Sequence, residues 1–294
     1  MKKFIAMLLA MLMVFSLAAC GEKAPAETPA EAPAETPVEE APAEETPAES
    51  TEIIIFAAAS LQESLTKIAD NYMAANPGIV ITINFDSSGT LKTQIIEGAD
   101  CDIFIAASPK PMNALDIQAE SEKNPDGNDF VLEGSRVNLL ENKVVLAVPE
   151  GNPAGIEGYD DLAQKLVSGE VLMAMGNSDV PVGGYTQKIL KFYELNEEEL
   201  AASGVITYGS NVKEVTSQVK EATVDCGVIY ATDAFSAGLE AVDTASKDMC
   251  GQVVYPAALM KNSANPDAAA ALLEYICGPE ATAEFEAVGF SPIK

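Results

Sequence analysis

Histidine is absent from the 294 residues, and arginine occurs once, at Arg136. Without imidazole the chain cannot assemble a Ser-His-Asp or Cys-His nucleophile, and it lacks the commonest transition-metal ligand. Basic residues are few, 17 Lys and Arg against 45 Asp and Glu, for a formal net charge of −28. A chain this acidic has no long basic groove, which argues against nucleic acid as a partner. Cysteine is sparse too: apart from Cys20 there are Cys101, Cys226, Cys250 and Cys277. Their wide spacing matches neither a small disulfide scaffold nor a zinc signature, so buried thiols and one or two bridges both remain open. Beyond the N-terminal segment no apolar run approaches the roughly eighteen residues of a membrane span.

What is present begins with Met1-Lys2-Lys3, an apolar stretch from Phe4 to Ala18, and Leu17-Ala18-Ala19-Cys20-Gly21. A basic start, a short apolar core and a small-residue cleavage site predict a secretory signal peptide over 1–19. The Leu-Ala-Ala-Cys ending resembles a bacterial lipobox, with Cys20 as the lipidated first residue. The expectation is an exported chain held at the outer face of the cytoplasmic membrane by acyl groups. Residues 20–50 hold this cysteine and a Pro-Ala-Glu-Thr tract with almost no bulky apolar residue. Such a tract cannot bury enough surface to offset ordering entropy, so it reads as a disordered tether.

Residues 51–294 are enough for two lobes with substantial cores. Apolar, β-branched runs alternate with segments of helical spacing. Ile53-Ile54-Ile55 leads into Ala57-Ala58-Ala59-Ser60, after which Leu61, Leu65, Ile68 and Tyr72 mark a helix. Ile79 to Phe85 ends in Asp86-Ser87-Ser88-Gly89-Thr90 and another helix, and Cys101 to Ala107 is a third buried strand. Val144 to Val148 reads as a crossing into a second lobe. There, Val171 to Met175, Ile206 to Tyr208 and Cys226 to Tyr230 each give way to a turn and a helix, the first of these helices expected over Thr186 to Tyr193. Val253 to Leu259 would return the chain to the first lobe, giving lobes of 51–143 with 254–294 and of 144–253. Helices over Pro266 to Ile276 and Glu280 to Ala287 complete the chain. This rhythm means parallel βαβ units with helices on both faces of each sheet.

Five strand-to-helix turns stand out, at Ser60, Ser88, Val182 to Tyr185, Val212 and Tyr230. In open α/β sheets ligands lie beyond the carboxyl ends of the strands, where such turns collect. Hydroxyls and first-turn N–H groups facing each other across a cleft suit a small, fully ionised anion held by neutral dipoles. Each residue also has a plainer role. Ser60 with Glu63, and Asn211 with Glu214, fit capping boxes, and Ala231-Thr232-Asp233 reads as a capped helix start. Tyr230 fits a half-buried strand end, and either Ser87 or Ser88 could face the cleft. Lys92, Lys188 and Lys213 sit just inside helices that start at these turns, where exposed lysine is the default. The polar stretch 116–136 only loosely follows a calcium loop and reads as a surface loop.

The stretches FAAASL (56–61), FDSSGTL (85–91), DCDIFIAAS (100–108), VPVGGY (180–185), SNVKEV (210–215), GVIYATDA (227–234) and VYPAAL (254–259), in this order, resemble the molybdate-binding component of bacterial ABC transporters. The resemblance runs from about residue 52 to the end. It implies an α/β, two-lobed type II periplasmic-binding-protein-like fold, each lobe a mixed, mainly parallel sheet flanked by helices with the ligand cleft between them. It further implies a tetrahedral oxyanion, molybdate or tungstate, bound by hydrogen bonds from Ser60, Ser88, Tyr230 and the backbone at Val182 and Val212. No cofactor and no catalysis are implied. The implied partners are an ABC permease with its cytoplasmic ATPase and, through the anchor, the membrane, with the protein a monomer. Two features depart from the family pattern: valine stands at 182 where alanine is usual, and the 116–136 loop is longer and more polar.

Other functions remain in view. Sulfate and phosphate are alternative oxyanions, and Asp86, Tyr185 and Tyr230 keep ferric iron open. Ser64 and Lys67 match the S-x-x-K pattern of secreted Ser-Lys hydrolases, but the K-T-G partner motif is absent.

Overall fold

The Ile53-Ile54-Ile55 run lies inside strand β1 (Thr51–Ala58), whose Ile53, Ile55 and Ala57 are fully buried. A computed structural model describes residues 50–293; the expected signal peptide, Cys20 and the tether up to residue 49 lie outside the described residues. After β1 come a single 3-10 turn (Ala59–Leu61), α1 (Gln62–Ala75), β2 (Ile79–Asp86), α2 (Ser88–Ile96), β3 (Ile103–Ile105) and α3 (Pro109–Asn113). Strand β4 (Val137–Asn142) follows a long connection, and one residue later β5 (Val144–Val148) begins. Next are α4 (Tyr159–Ser168), β6 (Met173–Gly176), α5 (Pro181–Phe192), α6 (Glu197–Ala202), β7 (Ile206–Gly209) and α7 (Val212–Lys220). The chain continues through β8 (Cys226–Tyr230), α8 (Ala231–Ala237), β9 (Glu240–Thr244) and α9 (Lys247–Cys250). It ends with β10 (Val253–Leu259), α10 (Pro266–Ile276), α11 (Pro279–Ala287) and β11 (Ser291–Pro292).

The strands form two mixed sheets, ordered β11-β4-β10-β3-β1-β2 and β7-β6-β8-β5-β9. Within each, the βαβ portion is parallel: β1 with β2 and β3, and β6 with β7 and β8. The strands next to the two crossings are antiparallel, β10 with β3 and β4, and β5 with β8 and β9. The chain therefore leaves the first sheet at Lys143 and returns to it at β10. Strands β5 and β8 are buried along their whole length, as expected of strands covered by helices on both faces.

Some local expectations are corrected. Helix α5 starts at Pro181, not Thr186, so Val182-Gly183-Gly184-Tyr185 is its first turn. Pro181 supplies a preset φ at a position that needs no N–H, and Gly183 permits tight docking on β6. A Cβ at Gly183 would lie 2.2 Å from the Asn177 carbonyl oxygen and 2.3 Å from that of Gly176. Ser60 does not cap α1, which starts at Gln62 after the 3-10 turn, and α8 has no side-chain cap at all. Asn211 does cap α7, accepting from Glu214 N–H at 3.1 Å, while the Glu214 carboxylate reaches back to Ser210 N–H at 2.7 Å. The 116–136 stretch is less superficial than its polarity suggests, since Asp116, Asn124 and Val131 are buried. Asn124 donates to the Asp116 and Asn128 carbonyls and accepts from Asn128 N–H, and Arg136 pairs with Asp116 at 3.0 Å. No metal-ligating cluster of acids or cysteines occurs among the described residues. Cys101, Cys226, Cys250 and Cys277 are all free thiols.

Candidate functional site

Ser60, Ser88, Val182, Val212 and Tyr230 line a single small cavity between the carboxyl ends of the two sheets' strands. Its empty volume is about 200 Å³. Ala58, Ala59 and Ala107 complete the wall on the first sheet's side, and Val180 and Pro181 on the second's. Small side chains at these places let backbone, rather than side chain, face the interior.

Each donor arises from local structure. Val182 is the second residue of α5 and Val212 the first of α7, so neither N–H has an intrahelical acceptor. Both helices point their positive ends into the cavity, as does α2, which starts at Ser88. Ser87 is the N-cap of α2: its Oγ accepts from Thr90 N–H at 3.1 Å and lies 2.9 Å from Thr90 Oγ1. Its oxygen is therefore engaged within its own helix. Ser88 Oγ accepts from Ala107 N–H at 2.9 Å, which leaves its proton to donate. Both neighbours line the cavity. Tyr230, fully buried at the end of β8, donates to the Ala107 carbonyl over 3.4 Å, a long bond that an anion would readily replace.

Ser60 Oγ lies 2.9 Å from Tyr255 Oη, and Asn142 Nδ2 donates to the same phenol oxygen at 3.3 Å and to Thr232 Oγ1 at 2.9 Å. Neither Asn142 nor Tyr255 was visible in the sequence as part of the site. Each lies on a strand beside a crossing, far along the chain from Ser60. The Tyr-Pro pair of the VYPAAL stretch was the available signal for Tyr255.

Apart from Asp86, the charged groups near the cavity are not on its wall. Lys213, which its position suggested to be exposed, has only 26% of its side chain accessible and pairs with Glu63 at 2.7 Å and Asp233 at 3.1 Å. Asp233 is fully buried, and burial pushes its carboxyl up to about 6 against the pull of Lys213. For Lys213, burial acts downward, but the Asp233 and Glu63 carboxylates outweigh it and leave the ammonium raised. Asp86 is the one carboxylate on the cavity wall among the described residues, and its Oδ1 accepts from Ser87 N–H at 2.7 Å and Asn211 Nδ2 at 3.4 Å. Burial also lifts the phenols of Tyr230 and Tyr185 well above their ordinary range. Tyr185 is not on the cavity wall; its ring stands edge-on to Tyr230 with Lys188 over its face.

The Ser64 and Lys67 pattern makes no reactive pair. Ser64 Oγ donates to the Leu61 carbonyl, and Lys67 is engaged by Glu284 at 2.5 Å. A wider hollow over α7, lined by Lys213, Glu214, Gln218 and Glu221 among others, is an exposed polar surface without convergent donors.

Comparison with known proteins places this geometry. The putative ABC transporter substrate-binding lipoprotein YvgL of Bacillus subtilis is 32% identical over 241 residues, 81% of this chain and 86% of that protein. The molybdate-binding protein ModA of Haemophilus influenzae is 30% identical over 248 residues, covering 82% of this chain and 91% of its own. Among solved structures, the substrate-binding domain of a putative molybdenum ABC transporter from Clostridium difficile aligns with a TM-score of 0.59 at 27% identity, over 83% of this chain and 99% of that one. The fold is shared more widely. The sulfate-binding protein SubI of Mycobacterium tuberculosis H37Rv aligns with a TM-score of 0.65 at 13% identity, over 83% and 88%. Residues 53–291 match the family model described as bacterial extracellular solute-binding protein, and the chain belongs to that family.

Proposed function

We propose that the cavity binds molybdate, and also tungstate, for delivery to an ABC permease driven by a cytoplasmic ATPase. The observation that carries this reading is the convergence of two serine hydroxyls, one tyrosine hydroxyl and first-turn N–H groups from both sheets on one cavity. Apart from Asp86, whose Oδ1 accepts from Ser87 N–H and Asn211 Nδ2, the lining is neutral. A fully ionised tetrahedral anion needs donors and no acceptor, whereas hydrogen phosphate also needs a group to take its proton. Sulfate has the same charge and shape with shorter bonds, so cavity size sets its rejection. Ferric iron would need tyrosinate, and burial opposes ionisation of Tyr230 while Tyr185 stands off the wall.

The cycle is capture and delivery. The two lobes close about the strands flanking the crossings, and the closed form presents the anion to the permease. Export, lipidation at Cys20 and a monomeric state complete the reading.

Calorimetric titration of the purified protein, dialysed free of oxyanions, with molybdate, tungstate, sulfate and phosphate tests it. One-to-one binding of the first two with little heat from sulfate is expected. Binding of sulfate or phosphate alone would change the substrate, and no heat from any of the four would overturn the oxyanion site.

A further inference from the structure

We propose that Asn142 and Tyr255 are positioning residues that form a one-way hydrogen-bond relay fixing the Ser60 hydroxyl as a donor to the bound anion. The inference rests on the oxyanion reading of the cavity and concerns residues outside its wall.

The direction of the relay follows from which groups can only donate. Asn142 Oδ1 accepts from Lys143 N–H at 2.8 Å. A backbone N–H has no acceptor lone pair, so the amide oxygen must face it and the Nδ2 protons must face the other way. Those protons go to Thr232 Oγ1 at 2.9 Å and to Tyr255 Oη at 3.3 Å. Tyr255 is fully buried and has one proton of its own. Among the described residues, the acceptor within hydrogen-bond distance for that proton is Ser60 Oγ, at 2.9 Å. If Ser60 donated to Tyr255 instead, that buried proton would be left with the Tyr230 phenol, which comes less close than Ser60 does, a costly arrangement. The Tyr255 proton therefore points at Ser60, and the Ser60 proton is released toward the cavity, whose wall it joins.

The same logic holds at Ser88, where Ala107 N–H occupies an Oγ lone pair. Both serines thus accept one hydrogen bond from behind and keep a proton that can turn inward. A hydroxyl is ordinarily indifferent between donating and accepting; here the groups behind each serine take up one lone pair and bias it toward donating. The site so built favours an anion with no proton over one that must donate to the protein. Burial raises the Tyr255 phenol far above the physiological range, so its proton stays in place.

The test is a double-mutant cycle read by molybdate titration, using Tyr255→Phe, Ser60→Ala and the double variant. Tyr255→Phe is expected to weaken binding about tenfold alone and less than about twofold in the Ser60→Ala background. A loss of equal size in both backgrounds would mean a merely structural tyrosine and would overturn the relay, as would unchanged affinity of Tyr255→Phe. If Tyr255→Phe does not fold, Asn142→Asp serves instead, since it keeps shape but replaces the donor with an acceptor that draws the Tyr255 proton away. Its added charge acts in both backgrounds, so a larger loss with Ser60 present than with Ser60→Ala supports the relay, and equal losses refute it. Failure of the unmodified protein to bind molybdate would instead overturn the function reading and the relay with it.

Discussion

The Lys213 ammonium lies 2.7 Å from the Glu63 carboxylate, one residue into the helix that starts at Val212 and three residues beyond Ser60. Glu63 belongs to the first sheet's side of the cavity and Lys213 to the second's, so this ion pair ties the two sides together. Lys213 also approaches Asp233, which is fully buried.

The two halves of this network should respond differently to mutation. Glu63 is about half exposed, so Glu63→Gln should cost no more than about 1 kcal/mol. Lys213→Met leaves the Asp233 carboxylate buried without its partner, and a loss of about 3–5 kcal/mol is expected in denaturant unfolding. Adding Asp233→Asn to Lys213→Met should recover much of it. A Lys213→Met variant as stable as the parent would show that the pair carries no stability.

Asp233 also sets a pH dependence. Its carboxyl is raised in the folded state to about 6 from an ordinary value of 3.8, so between these values the folded protein binds the proton more tightly than the unfolded chain. The stability this group contributes is fully present below about pH 4 and is lost as pH rises through about 6. Lys213, raised as well, stays charged across that window, and its contribution is lost only in the alkaline range. The difference in unfolding free energy between the parent and Asp233→Asn should therefore shift in favour of the variant from pH 4 to pH 7. A flat difference over that interval would mean that Asp233 titrates normally.

Much of this fold was legible because its strands are apolar and its strand-to-helix turns are small. Ile53 to Ile55, Val144 to Val148 and Cys226 to Tyr230 announce buried strands, and Ser60 and Tyr230 of the cavity sit where the first and last of these end. Strands β4 and β9 were not legible. Val137-Asn138-Leu139-Leu140-Glu141-Asn142 and Glu240-Ala241-Val242-Asp243-Thr244 carry polar residues at half or more of their positions, and their pairing is decided by the crossings. The network behind the site was hidden for a related reason. Ser60 and Tyr255 are 195 residues apart in sequence, and Lys213 and Glu63 are 150 apart. A capping-box spacing at Ser60 says nothing of a phenol arriving from another strand.

Ser87, Ser60 and Ser88 should divide between stability, binding and both. Ser87→Ala removes an N-cap and should cost about 1 kcal/mol of stability with a small change in molybdate affinity. Ser60→Ala removes a donor to a desolvated anion and should weaken binding by roughly 10- to 100-fold. Ser88→Ala should match Ser60→Ala in affinity and also lose stability, since it leaves Ala107 N–H unpaired. Thermal melts and titrations of the three variants decide this, and an affinity loss at Ser87 as large as at Ser60 would move the inward hydroxyl from Ser88 to Ser87.

Two helical glycines offer the sharpest separation of closure from folding. A Cβ at Gly89, in the first turn of α2, would lie 2.1 Å from the Asp179 carbonyl oxygen. Asp179 precedes α5 on the other side of the cleft, so the clash exists only while the two sides are together. A Cβ at Gly183 would instead strike the carbonyls of Gly176 and Asn177, which belong to its own side. Gly89→Ala should therefore leave the melting temperature of the anion-free protein unchanged or slightly raised, because alanine favours helix by about 1 kcal/mol over glycine. Its molybdate affinity should fall at least about tenfold, through a closed form that is harder to reach. Gly183→Ala should lose about 1–3 kcal/mol of stability by overpacking, before any ligand is added. Unimpaired binding by Gly89→Ala would mean that the anion is held without the close approach of α2 to the Asp179 loop.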